Sequence, residues 1–351
     1  MAWATTSAMN VARYSLAGCG TTTDALSFGG HTGAIVATTE KWNGTVWATT
    51  TVLNQAKNYL AGCGTTTDAL SFGGGTTAAV ATTEKWNGTA WATTTALNAS
   101  RRGLAGCGTT TDALSFGGYT TAFAATTEKW NGTAWATTSV LNTARYALAG
   151  CGTTTDALSF GGEIAGPISL ATTEKWNGTA WATTSSLNQA KSQLAGCGTT
   201  TDAFSFGGYT GVVVATTEKW NGSVWATTSS LNQAKTELAG CGTITDALSF
   251  GGNTGAAVAT TERWVISKLS GICKDKNGVA ITGVQCAINI YNKDSLASRV
   301  GSTLSNSVDG TWTNDIDIVV GTKTLALFSY EGTYGGDTDI AGGEFMTTVA
   351  I

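Results

Sequence analysis

Apolar and small residues recur in short runs, each closed by Thr, Asn, Asp or Gly. Leu16-Ala-Gly-Cys-Gly-Thr21 is followed by Ala25-Leu-Ser-Phe28, Ala37-Thr-Thr-Glu-Lys-Trp42 and Val46-Trp-Ala-Thr-Thr50. Runs of this length between turn residues predict strands rather than helices. Thr21-Thr-Thr-Asp24 predicts the first turn, because Asp bonds its own backbone. Asn43-Gly44 predicts a two-residue type I′ hairpin turn, since both residues tolerate positive φ. The unit is therefore four antiparallel strands.

The unit repeats. Gly-Gly pairs begin at Gly29, Gly73, Gly117, Gly161, Gly207 and Gly251, spaced by 44, 44, 44, 46 and 44 residues. A Cys stands ten residues before each: Cys19, Cys63, Cys107, Cys151, Cys197 and Cys241. A four-stranded unit at this period is the mark of a propeller blade. Trp-Ala-Thr-Thr occurs six times, starting at Trp3, but Trp-Asn-Gly only five times, because the last unit stops at Thr261-Glu-Arg-Trp264. The strand missing from that unit is expected to be the one that opens the chain. This closes a six-bladed ring and removes its open sheet edges.

Ser27-Phe28-Gly29-Gly30, then Trp42, Trp47 and Lys57, resembles the kelch repeat, and the likeness recurs over residues 1–264. Two departures stand out. Trp42 and Trp47 are five apart where the kelch pattern has seven, and the Pro expected before the basic residue is missing.

Residues 265–351 break the period. Ile266 to Val284, with the strand Cys286-Ala-Ile-Asn-Ile-Tyr-Asn292, Asp309-Gly-Thr-Trp312 and Thr324-Leu-Ala-Leu-Phe-Ser-Tyr330, resembles a carboxypeptidase-regulatory or transthyretin-like domain. The resemblance implies a small C-terminal β-sandwich. The expected fold is all-β, a six-bladed kelch-like propeller over 1–264 followed by that sandwich over 265–351.

Composition removes several function classes. One His, His31, excludes His-cluster metal sites, Ser-His-Asp triads and a copper centre with two His ligands. Net charge is −4, with 13 basic and 14 acidic residues in 1–264 and 6 and 9 in 265–351. No basic field therefore exists for nucleic acid or an anionic membrane. No apolar run reaches the roughly 18 residues of a membrane span. Met1-Ala-Trp-Ala-Thr-Thr6 lacks the regions of a signal peptide. Met1 stands so close to the closing strand that no anchor domain is expected before it.

The chemistry-bearing residues read as structural. The six Cys are expected to be small buried thiols rather than a metal or redox ring. Cys273 and Cys286 fall on facing strands as either a disulfide or two thiols. Glu40, Glu84, Glu128, Glu174, Glu218 and Glu262, with Asp24 and the basic series, are expected to form blade-to-blade ion pairs and turn caps. Catalysis needs one group made acid and another base, which identical copies do not supply. Asp309-Gly resembles the sialidase Asp-box only faintly. Asp337, Asp339 and Glu344 read as a solvated loop rather than a Ca²⁺ site. No cofactor is expected.

The informative feature is where the repeats differ. Strand alternation puts the first-to-second and third-to-fourth turns on one face, where the sequence hardly varies. The other two connections lie on the opposite face and carry nearly all the variation. Loops on a rigid scaffold are where binding resides, and Tyr and Arg suit a recognition surface. The candidate ligand-binding residues are Tyr14, Tyr59, Arg102, Tyr119, Tyr146, Glu163, Tyr209 and Glu237. The tyrosines are expected to form a broken aromatic rim around the axis.

Near-identical repeats, Thr/Gly/Ala richness and the C-terminal domain together resemble phage virion proteins such as tail fibres or capsid decorations. That resemblance implies a non-enzymatic binding protein of the virion, made in the host cytoplasm. Its expected partners are a host surface glycan, other virion proteins bound through the sandwich or the constant face, and further copies of the chain. A glycan-hydrolysing enzyme using Glu163 and Glu237, or an intracellular kelch adaptor, is the alternative.

Overall fold

The computed structural model of the chain describes residues 2–265 throughout and, beyond them, the backbone of six strands at 268–272, 287–292, 295–304, 311–315, 324–329 and 345–348. Every regular element among the described residues is a strand. Trp3–Trp264 forms one compact unit, and Met1–Ala2 with Val265–Ile351 another.

The first unit is a six-bladed propeller. In blade one, Ala17–Gly20, Ala25–Phe28, Thr39–Trp42 and Trp47–Thr50 run antiparallel in that order from the axis outward. The last sheet takes Ala239–Gly242, Ala247–Phe250 and Thr261–Val265, and its outermost strand is Ala2–Thr6. The innermost strands border one another in a closed cycle, with Ala239–Gly242 beside Ala17–Gly20. The chain start thus completes the last blade, as the strand count requires.

Blade packing explains the repeated residues. Second strands such as Ala25–Phe28 are buried at every position because a blade lies on either side. Gly18 is required by close approach: a Cβ there would come within 2.3 Å of the Phe250 ring of the preceding blade. Trp47 packs on the same ring at 5.0 Å and donates its indole N–H to Thr261 Oγ1 at 3.0 Å. Trp3 repeats this against Phe206, at 5.0 Å, and Thr217, at 3.0 Å, so the closing strand is cemented to blade five. Such rings supply large buried areas and geometric specificity together.

The six propeller cysteines are buried free thiols, turned into the cores between blades. Cys19 packs with Leu26, Phe28, Trp86 and Trp91, and its thiol reaches Thr65 O at 3.8 Å. Burial pushes Cys107 and Cys241 up to about 12 and raises the other four as well.

The third-to-fourth turn differs from expectation. Trp42 pairs with Trp47, leaving a four-residue loop in which Gly44 has a φ of 93° and Asn43 stays outside the positive-φ region. Asn43 Oδ1 instead accepts from the N–H groups of Thr45 and Val46 at 3.0 and 2.9 Å and from the Thr45 hydroxyl at 2.8 Å. The Asn side chain closes a wider turn itself, which a type I′ geometry would not allow.

Ion pairs also lie elsewhere than expected. Glu40 is fully buried, pairs with Arg13 at 3.2 Å and caps the Asn10 N–H at 2.7 Å. Arg13 and Asn10 belong to the segment entering blade one, so the pair locks each blade to its own incoming connection rather than to the next blade. Asp24 pairs with Lys41 inside its blade at 3.7 Å. The true cross-blade link at this face is neutral to charged: the Thr66 hydroxyl donates to Asp24, and the pattern recurs as Thr22–Asp246, Thr110–Asp68, Thr154–Asp112 and Thr200–Asp156.

In the second unit, Lys268–Ile272 pairs with Thr311–Asp315, and a four-stranded sheet runs Ser295–Leu304, Ala287–Asn292, Thr324–Ser329, Phe345–Thr348. Cys273, Cys286, Asp309, Asp337, Asp339 and Glu344 lie outside the described residues.

Candidate functional site

The two variable connections of each blade meet. The residue entering a blade pairs with the residue after Gly-Gly: Tyr14 with His31, Asn58 with Gly75, Arg102 with Tyr119, Tyr146 with Glu163, Ser192 with Tyr209 and Thr236 with Asn253. Both backbone bonds of the pair are made, as in Tyr14 N–H to His31 O at 3.2 Å and His31 N–H to Tyr14 O at 2.9 Å.

The next residue in each blade takes a left-handed conformation: Ser15, Tyr59, Gly103, Ala147, Gln193 and Glu237 have φ between 50° and 59°. That turn aims each N–H at the carbonyl of the preceding blade. Ser15 donates to Glu237, Tyr59 to Ser15, Gly103 to Tyr59, Ala147 to Gly103, Gln193 to Ala147 and Glu237 to Gln193, at 2.7 to 2.8 Å. Six backbone bonds close a ring around the axis. The ring and the buried Leu16, Leu60, Leu104, Leu148, Leu194 and Leu238 together line an axial pocket of about 110 Å³.

Side chains on this frame differ from blade to blade. Ser15 donates its hydroxyl to Glu237, and the Tyr59 phenol bonds both. Burial first, then the Glu237 charge, pushes Tyr59 up to about 12. The Tyr146 ring lies over Gly103, where a Cβ would fall 2.0 Å from it, and reaches Tyr59 at 5.9 Å and Tyr119 at 6.2 Å. Burial also raises Tyr146, with Tyr59 and Glu237 adding to it. Arg102 stands over the Tyr119 ring at 5.6 Å, and Phe123 meets that ring edge-on at 5.5 Å.

Glu163 is half-buried and accepts the Ser192 hydroxyl at 3.3 Å. Burial raises its carboxyl, Ser192 opposes the shift, and the Glu237 charge adds to it. Gln193 Oε1 accepts from the Thr236 hydroxyl at 2.9 Å.

Of the eight candidates, Tyr59, Arg102, Tyr119, Tyr146, Glu163 and Glu237 are linked in one network that reaches across the axis, by ring contacts or through charge. Tyr14 makes its ring contact with His31, at 5.1 Å, rather than with another tyrosine. Tyr209 meets the group only through its backbone, which pairs in both directions with Ser192 and takes the Ser169 hydroxyl at 3.0 Å. Sequence reasoning missed Ser15, Ser192 and Gln193 as partners. Their signal was position, since each occupies the same variable pair of residues as the tyrosines.

Among the described residues no helix is long and apolar enough to cross a membrane, and no three His, Cys, Asp or Glu side chains are grouped to hold a metal. Compared with models of known protein families and with curated protein sequences, the chain matches none.

Proposed function

We propose that this chain is a non-enzymatic binding protein of a phage virion, a tail fibre or capsid decoration whose kelch-like propeller recognises a host surface glycan through its variable face. The C-terminal residues, read as a β-sandwich, or the constant face then attach it to other virion proteins.

One observation carries the recognition surface. The axial ring demands φ of 50° or a little more. That conformation costs an L-residue roughly 1–2 kcal/mol and glycine almost nothing. Only Gly103 takes the undemanding choice, while Ser15, Tyr59, Ala147, Gln193 and Glu237 carry side chains there. Strain retained at a rim, on residues that differ from blade to blade, points to use of those side chains. Aromatic rings on a rigid frame suit the apolar faces of sugars.

Adsorption to host cells and binding to a glycan array test the reading. Replacing Tyr119 and Tyr209 by Ala is expected to weaken binding, as truncation of a buried anchor costs about 2 kcal/mol or more, with the melting temperature held. Asp24→Ala and Asn43→Ala on the opposite face lower the melting temperature and leave binding intact. Equal binding by the Tyr variants and the parent removes the variable face as the recognition element. Burial, with the Glu237 charge adding to it, raises the Glu163 carboxyl toward the form a general acid needs, which favours the glycan-hydrolysing alternative as the second reading. Release of product from a chromogenic glycoside, lost in Glu163→Gln, would establish it.

A further inference from the structure

We propose that Arg102 anchors an acidic sugar: its guanidinium, held over the Tyr119 ring, takes the sugar carboxylate, and the adjoining Phe123 and Tyr146 rings take the apolar face of the same sugar. The inference rests on the reading of the variable face as a glycan-recognition surface and names the class of glycan it selects.

Charge pairing is the first argument. Residues 1–264 contain 13 basic side chains. Eleven of them pair with a carboxylate at 2.8 to 3.8 Å. The two left over are Lys219, beside the constant-face turn at Asn221, and Arg102 on the variable face. Among the described residues no oxygen accepts from the Arg102 guanidinium. Glu163 and Glu237 are turned to the Ser192 and Ser15 hydroxyls instead. A guanidinium keeps its charge and presents its N–H donors in a planar fork, which fits a carboxylate with two parallel bonds.

The setting is the second. Arg102 and Tyr119 exchange both backbone bonds, at 3.0 and 2.8 Å, which fixes their side chains next to each other. The guanidinium carbon stands 5.6 Å from the centre of the Tyr119 ring. This cation–π contact steadies the Arg without using its donors. Phe123 and Tyr146 meet the Tyr119 ring edge-on at 5.5 and 6.2 Å. Aromatic surface beside a fixed cation matches a uronic acid, whose ring has an apolar face and carries one carboxylate.

Access is the third. After Gly-Gly the other blades carry a side chain, at His31, Tyr119, Glu163, Tyr209 and Asn253, but blade two has Gly75. Gly75 lies outside the positive-φ region, so its backbone does not call for glycine. A Cβ there would fall 3.3 Å from Asn58 Oδ1 and 3.4 Å from Arg102 Cδ, close but not forbidding. A longer side chain would lie along the Arg102 stem and crowd its head. Glycine at a paired position often marks a place where a ligand approaches.

Saturation-transfer NMR titrations of the full chain with methyl glucuronide, its neutral counterpart methyl glucoside, and sodium acetate test this. The glucuronide is expected to bind saturably and the glucoside at least about tenfold more weakly, as loss of a hydrogen-bonded charge implies. Arg102→Gln should bring glucuronide binding down to the level of the glucoside. Gly75→Asn gives blade two the residue that blade six carries at Asn253 and should weaken the glucuronide by crowding the guanidinium. Lys219→Gln removes the other unpaired cation and should change nothing. Equal binding of the two sugars, acetate binding as tightly as the glucuronide, or an equal effect of Lys219→Gln would overturn the proposal. Melting curves separate loss of binding from unfolding, and Gly75→Asn covers the case in which Arg102→Gln does not fold. If no acidic sugar binds while adsorption to host cells still depends on Tyr119, the Arg102 assignment falls and the recognition face stands.

Discussion

The buried basic residue beneath each blade comes in two kinds, and the serine beside it shows the difference. Where Arg stands, Nη2 of Arg13, Arg101 and Arg145 donates to Ser27, Ser115 and Ser159 at 2.8 to 2.9 Å. Where Lys stands, at Lys57, Lys191 and Lys235, the shorter head reaches a Thr carbonyl at 3.1 to 3.3 Å, and Ser71, Ser205 and Ser249 keep a buried hydroxyl with no partner. Gln55, Gln189 and Gln233, two residues before each Lys, also bury an unpartnered Oε1, where the Arg blades have Val11, Ala99 and Thr143.

The same substitution should therefore have opposite consequences in the two kinds of blade. Ser115→Ala takes away a hydrogen bond to a charged group and strands an Arg donor, a loss of about 1.5–3 kcal/mol. Ser71→Ala deletes an orphaned buried hydroxyl and should be neutral or stabilising, by up to about 1–3 kcal/mol. Lys57→Arg should gain the serine bond, and that gain should vanish in the Ser71→Ala background, a coupling of about 1–2 kcal/mol. At roughly 2–4 °C per kcal/mol for a domain of this size, thermal melts followed by tryptophan fluorescence resolve each difference. A Ser71→Ala variant that loses as much as Ser115→Ala would refute the reasoning. So would a Lys57→Arg gain indifferent to Ser71.

Two further outcomes follow from the same interior. Ile244 occupies the position where the other blades carry the Thr that donates to a neighbouring Asp. Ile244→Thr should bond Asp202 and stabilise the fold by about 1 kcal/mol, read as a raised melting temperature against Thr66→Val, which should lower it. Above about pH 8.5, unfolded thiols ionise, while the six buried ones, all raised, stay protonated. The native state then holds more protons, and stability falls with pH. Lys57, Lys191 and Lys235, lowered by burial to about 8, act in the opposite sense, since the unfolded chain keeps its protons up to about pH 10.4. Six thiols against three lysines leave a loss that averages about 3 kcal/mol per pH unit between about pH 8.5 and 10, smallest at the lower end where the unfolded thiols are half ionised. Chemical denaturation across that window measures it, and a flat profile would refute the balance.

Much of the fold was legible because it is written six times. The strand runs, the Gly-Gly punctuation and the count of Trp-Ala-Thr-Thr against Trp-Asn-Gly led to blade number and closure without any long-range information. What failed is instructive. Asn-Gly implied a two-residue turn because propensity describes the backbone, whereas Asn43 acts through a side-chain oxygen that caps two N–H groups. The Glu series was rightly read as ion pairs and turn caps, but their partners depend on which segment enters a blade from below. The axial ring was invisible for a plainer reason. Tyr, Gln and Glu carry no preference for positive φ, so nothing in Tyr59, Gln193 or Glu237 announces the conformation that the blades impose.

That imposition separates two kinds of information in the chain. Burial, close approach and paired charges fix the repeated residues, and the variation they admit, Arg or Lys with a bonded or orphaned serine beside it, stays inside the core. Asymmetry at the surface enters where the scaffold holds a backbone in place and leaves the side chain free. At the axis, the preceding bridge, the ring bond and the leucine below hold each left-handed residue. A strained Glu or Tyr is therefore tolerated there at roughly 1–2 kcal/mol. Five such residues cost on the order of 5–10 kcal/mol, comparable with the net stability of a whole domain. A ring of glycines would be free of that strain, and this contrast is what supports the proposed use of the rim side chains in recognition.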